Sequence, residues 1–277
     1  MKVGLWQFLS LWFAIIVAIS SSVELSRANP KEDTICLETE AVRYLSLTPD
    51  ELRAEIAAGL NPFTLCMDRE SPISLAVSGI FDSGMLEVLL EAGVPSNSAG
   101  PSGGTALMYL LAQGTRDPDS DRAYIKKLLD HGARIDVTGH WDLDAIEAKD
   151  AHFRFPYIGA TLNSPYPGTH DRILLAIEMG ARFGKRTEPL FATPLYYAIK
   201  SEDPALVNAF LEAGAERCLF PEEAADFPHM DGDTYRERWE QDWNDPIEPL
   251  LDEVLAGYPE IAVNLRANDG LCRAEAR

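Results

Sequence analysis

Apolar residues recur along the chain at helical spacing, in short runs that come in pairs. Residues 193–216, TPLYYAIKSEDPALVNAFLEAGAE, show the pattern most clearly. Leu195, Ala198 and Ile199 face one way, then a polar break intervenes, and Val207, Phe210 and Leu211 repeat the stripe. The spacing predicts two short helices. Thr193 with Pro194 opens the first, because a hydroxyl can cap a free N–H and Pro fits the first turn. Gly214 closes the second in a left-handed turn.

The same closure recurs at Gly59, Gly93, Gly132 and Gly180, so successive closing glycines lie 34, 39, 48 and 34 residues apart. The starts recur as well, at Ser71 (SPISLA), Thr105 (TALMYL) and Thr193 (TPLYYA), each 12 or 13 residues after a closing Gly. A helix pair of this size cannot bury its apolar stripes alone, so units must stack on their neighbours.

These spacings resemble the ankyrin repeat, with 71–104, SPISLAVSGIFDSGMLEVLLEAGVPSNSAGPSGG, the closest unit. The resemblance spans roughly 41–216. It implies an all-α solenoid of about five units, binding proteins through loop tips and first helices. The His that the family places after T-P-L is absent; Ser74, Met108 and Tyr196 stand there. Residues 29–70 read as an N-terminal capping unit, with Thr48 and Glu51 as a capping box. Residues 71–216 are the repeats, with insertions near 113–122 and 140–170. In the fourth unit the first helix is expected at 144–152, and NSPYPGT reads as a turn-rich loop. Residues 217–277 form an acidic helical cap with an apolar stripe at Ile247, Leu250, Leu251, Val254 and Leu255.

Ahead of these units, MKVGLWQFLSLWFAIIVAISSSVELSRANP has a positive start, an apolar core and the small-x-small step Ser26-Arg27-Ala28. This is the pattern of a cleaved signal peptide over 1–28, and it directs the chain to a periplasm or secretory route. Retained, the segment would be a membrane anchor. Four cysteines follow it: Cys36, Cys66, Cys218 and Cys272. An even count in an exported chain is read as disulfides, paired within each end of the array as Cys36–Cys66 and Cys218–Cys272.

Charge narrows the partners. The chain carries a net −20, and residues 216–277 hold 16 acidic and 6 basic side chains. Such a surface repels nucleic-acid phosphates and anionic lipid, and favours a basic protein. The candidate contacts are the fourth-unit aromatics Trp141, Phe153, Phe155, Tyr157 and Tyr166, the loop-tip residues Asn97, Arg134 and Asp136, and the acidic end. Asp117, Asp119 and Asp121 open a calcium-loop pattern that fails at Arg122 and Leu128. His140, His152 and His229 are the residues a metal-dependent hydrolase would use, but no spacing pairs them as ligands. No nucleophile motif and no cofactor motif is present, so the reading is a non-catalytic binding module without cofactor. Its specific form is an immunity-type inhibitor of a basic toxin or enzyme; a general envelope scaffold or stress-response protein is the alternative.

Overall fold

In a computed structural model of the chain, the described residues are 47–62, 71–77, 84–99, 104–115, 117–139, 155–184, 192–221 and 248–272. They belong to one unit of the chain, 36–277. The helices are α1 (Pro49–Ala57), α2 (Pro72–Val77), α3 (Met85–Glu91), α4 (Ala106–Gln113), α5 (Pro118–Asp130), α6 (Tyr157–Leu162), α7 (Thr169–Glu178), α8 (Pro194–Lys200), α9 (Pro204–Glu212), α10 (Leu251–Val254) and α11 (Pro259–Ala267). Four two-residue strands accompany them. The pair β1 (Thr138–Gly139) and β2 (Phe155–Pro156) is antiparallel, with Thr138 opposite Pro156. The pair β3 (Phe220–Pro221) and β4 (Leu271–Cys272) is parallel.

The helices pack as hairpins: α2 on α3, α4 on α5, α6 on α7 and α8 on α9. First helices also pack on first helices, α2–α4–α6–α8, and among the second helices α1 meets α3, α5 meets α7 and α7 meets α9. This is the two-row stack that the repeat spacing implies. The core runs through it as one cluster, from Leu52 in α1 through Leu86, Leu107, Leu128, Ile173 and Phe210 to Leu265 in α11. Helices of six to nine residues are too short to persist alone, so the burial between units holds them.

All five predicted closing glycines have positive φ, from +81° at Gly132 to +111° at Gly59. Each is followed by a residue whose N–H donates to a carbonyl five residues back. The donors are Leu60, Val94, Ala133, Ala181 and Ala215, and the acceptors Glu55, Leu89, Leu128, Ala176 and Phe210. This is the Schellman closure, made five times, and it explains why an apolar residue follows each Gly.

The helix starts are less uniform. Thr48 and Glu51 form the expected capping box, and the Thr105 hydroxyl accepts from Met108 N. Thr193 departs from expectation: its side chain caps nothing on α8. Its hydroxyl instead donates to the Cys218 carbonyl at 2.6 Å, and its N–H donates to the Leu219 carbonyl at 2.8 Å. Ser71 does both: its hydroxyl accepts from Ser74 N at 3.1 Å, as a cap for α2, and donates to the Ser98 carbonyl 27 residues ahead. These hydroxyls tie the start of a unit to the chain that follows it.

The two insertions resolve unequally. In the third unit the extra residues fall where the sequence placed them, and they lengthen the second helix at its start: α5 has 13 residues, against 7 in α3 and 9 in α9. In the fourth unit the first helix is α6, not the more helix-prone stretch 144–152, which lies outside the described residues. Ahead of α6, β1 and β2 pair Thr138 with Pro156 and Gly139 with Phe155. The cap residues Leu251, Val254 and Leu255 are buried as expected, and Ile247 lies outside the described residues. No helix among the described residues is long and apolar enough to cross a membrane.

Candidate interaction surface

The loop tips are stitched to one another. Asn97, in the loop after α3, donates from Nδ2 to the Gly132 carbonyl and accepts on Oδ1 from Arg134 N, both at 2.8 Å. Ser96 beside it donates to the His131 carbonyl at 2.8 Å. One unit further on, Asp136 accepts from Gly184 N at 2.8 Å. Arg134 donates to both oxygens of Asp136, at 2.7 and 2.8 Å. Burial pushes the Asp136 carboxyl up, but the Arg134 guanidinium and the Gly184 N–H outweigh it, and its pKa falls below the ordinary carboxylate value. Asn97 and Asp136 therefore spend these polar groups on the chain itself. Arg134 keeps its exposed face, and Arg182 and Arg217 stand exposed on later loops.

The aromatic candidates separate. Tyr157 opens α6, half-buried, with its ring 6.4 Å from that of Tyr109 on α4. It packs on the core rather than projecting from a loop. Tyr166 is 49 % exposed in the turn before α7, one of the two large exposed hydrophobics among the described residues, with Val263 of α11. Trp141 and Phe153 lie outside the described residues, and for Phe155 only the backbone, in β2, is described.

The first helices do not offer the open face that the resemblance implies. All six residues of α2 are buried, as are Leu195, Tyr196, Tyr197, Ala198 and Ile199 of α8. The second helices carry the exposed side chains: Glu87 and Glu91 on α3, Asp119, Arg122, Lys126 and Asp130 on α5, Asp171 and Glu178 on α7, and Glu212 on α9. Acidic groups outnumber basic ones there.

Opposite charges also bridge that row from helix to helix. Arg53 of α1 meets Glu91 of α3 at 3.3 Å, and Glu87 of α3 meets Lys127 of α5 at 2.9 Å. Asp121 of α5 stands 3.9 Å from Arg172 of α7. His170 of α7 contacts Asp203, the cap of α9, at 3.3 Å, an ion pair whenever the imidazole is protonated. Exposed pairs are worth about 0–1 kcal/mol each, so their main effect is to fix register between units. The hydrogen bond from Lys127 holds the Glu87 carboxyl below its usual value.

The Asp121–Arg172 pair is buried and does more. The Arg172 guanidinium donates to the carbonyls of Leu111 (3.0 Å), Ala112 (2.9 Å) and Pro167 (3.1 Å). Those carbonyls end α4 and the turn before α7, so one side chain caps a helix of the previous unit. Thr169 and Ser164 also donate to Ala112. Nothing in the sequence marked Arg172 for this; a lone Arg in the first turn of an amphipathic helix reads as surface.

The three aspartates of the calcium-like stretch have separate uses. Asp117 caps α5 by accepting from Asp119 N and Ser120 N, with its carboxyl held low chiefly by the Ser120 hydroxyl. Asp121 accepts from Thr115 N and faces Arg172. Asp119 is exposed. They do not converge on one point.

Cys218 and Cys272 are joined in a disulfide, with Cα atoms 5.0 Å apart, as the pairing by chain end expected. Cys36 and Cys66 lie outside the described residues, as do His140, His152 and His229. Among the described residues, the metal-ligand types that meet are Glu216, Cys218 and Cys272. Two sulfurs bonded to each other offer no thiolate, so in this state the group is not a metal centre.

No family model and no curated protein matches the chain. Among solved structures it is similar to the human ASB11 ankyrin repeat domain, at 15 % identity over 83 % of this chain and 86 % of that one, with a TM-score of 0.40. The helical stack described above stands on its own geometry.

Proposed function

We propose that the protein is an exported protein-binding module of the ankyrin type, acting as an immunity-type inhibitor that neutralises a basic toxin or enzyme. The observation that carries this reading is the division of labour between the two helix rows. First helices and loop-tip polar groups are consumed in holding the stack, while the second-helix row presents carboxylates to solvent on a chain of net charge −20. A rigid acidic face suits a basic partner through fast, salt-sensitive association. Export is supported by the N-terminal pattern and by a disulfide, which persists in oxidising compartments.

The test is capture of binding proteins from an envelope fraction by the tagged chain, followed by affinity measurement at rising salt. A single tight, basic partner, with affinity falling steeply from 50 to 500 mM salt, is the expected result. Glu178→Lys with Glu212→Lys should weaken it about tenfold or more, a loss near 1.4 kcal/mol. Binding that ignores both salt and these reversals, or a partner that is acidic, would overturn the reading.

A further inference from the structure

We propose that α10, α11 and β4 form a detachable cover over the end of the stack, and that the Cys218–Cys272 disulfide is its redox-operated latch. Among the described residues, α10 packs on α9 and β4 lies beside β3.

The first seam has a flaw. Asn208 of α9 holds its Oδ1 buried with no hydrogen-bond partner. The turn before α11 backs onto it, since a Cβ at Gly257 would stand 3.7 Å from that oxygen. A buried acceptor without a donor favours the separated state, in which water reaches it. The second contact is a strand pair of two residues, with Leu219 N and Phe220 N both donating to the Gly270 carbonyl. A pair that short frays readily, and the covalent link across 54 residues is what returns it to register.

Cys218 and Cys272 are both buried, so a reductant reaches their sulfurs when β4 lifts from β3. A dithiol reductant then attacks one sulfur as thiolate and forms a mixed disulfide. Its second thiol closes the reductant's own disulfide, leaving Cys218 and Cys272 as thiols; two electrons and two protons pass to the protein. Freed of the latch, the cover is held by its apolar packing on α9, weakened at Asn208, and by the short β3–β4 pair, and the α9 side facing α10 becomes accessible when it lifts.

Hydrogen–deuterium exchange on the full chain tests this, comparing the oxidised protein, the protein treated with dithiothreitol, and Cys218→Ser/Cys272→Ser. Reduction should speed exchange of amides in 251–267 about tenfold or more, while amides in 86–90 and 107–111 keep their protection. In the reduced protein, Asn208→Leu should restore much of the lost protection by removing the orphaned oxygen. If the double Ser variant fails to fold, Cys36→Ser/Cys66→Ser with and without dithiothreitol gives the comparison at Cys218–Cys272 alone. Unchanged exchange in 251–267, loss of protection in all units together, or no recovery with Asn208→Leu would each overturn the proposal.

Discussion

Gly159 is the position where a single methyl group should be most informative. It lies buried in α6, and a Cβ there would stand 2.7 Å from three ring atoms of Tyr197 on α8. Optimal carbon contacts are about 3.5–4.0 Å, so one side must retreat by roughly an ångström. Tyr197 has little room, being 8 % exposed and edge-on to Tyr196 at 5.0 Å, while Tyr196 rests 5.2 Å from Phe220. Overpacking of this kind costs about 1–3 kcal/mol, and three simultaneous contacts place it near the upper end. Ala returns about 1 kcal/mol of helix propensity. Gly159→Ala should therefore lose about 2 kcal/mol net, read as a lower urea midpoint at unchanged m-value. Tyr197→Leu should remove most of that penalty, giving a coupling above about 1 kcal/mol in a double-mutant cycle. Gly93→Ala is the control: its φ is +85° with nothing within 4 Å, so its cost of about 1–2 kcal/mol is backbone strain that no neighbour relieves. A neutral or stabilising Gly159→Ala, or equal effects with and without Tyr197, would refute the close helix approach.

Three further outcomes are expected. Arg172→Met strips the Leu111, Ala112 and Pro167 carbonyls of a donor and leaves Asp121 buried beside an apolar chain, so stability should fall by about 3 kcal/mol in urea unfolding. The depressed Asp136 pKa contributes stability that is present above the unfolded value near 3.9 and lost as pH falls through the folded one. Asp136→Asn should thus flatten the acid limb of a stability–pH curve below about pH 4 while leaving its shape near pH 7 unaltered. Thr48→Ala breaks the capping box on α1 and should cost about 1 kcal/mol by thermal melting.

Much of the stack was legible in sequence because its devices are local. A Gly that must adopt positive φ, and the apolar residue after it, leave a mark at fixed spacing, and all five sites closed as read. The first helix of the fourth unit was misplaced for the opposite reason. DAIEAKDAH is the better isolated helix, while YIGATL contains Gly, Thr and Tyr and forms α6 because packing between α4 and α8 overrides propensity. Asn97 and Asp136 were read as partner contacts, and in the structure both bond within the chain. Their partners Gly132 and Gly184 lie 35 and 48 residues away, so a role in holding the chain to itself could not be separated from a role in binding. The same holds for Tyr157, half-buried against the core: an aromatic beside an insertion looks the same in sequence whether it points out or in.

The pairing of Thr138 with Pro156 and Gly139 with Phe155 sets the two ends of the chain between them side by side. The distance those ends must span is therefore fixed by the pairing and not by how many residues lie between. Doubling that number costs only about 0.6 kcal/mol of closure entropy if the added chain is flexible. Residues inserted between Gly139 and Phe155 should accordingly leave the packing of α4, α6 and α8 as it is.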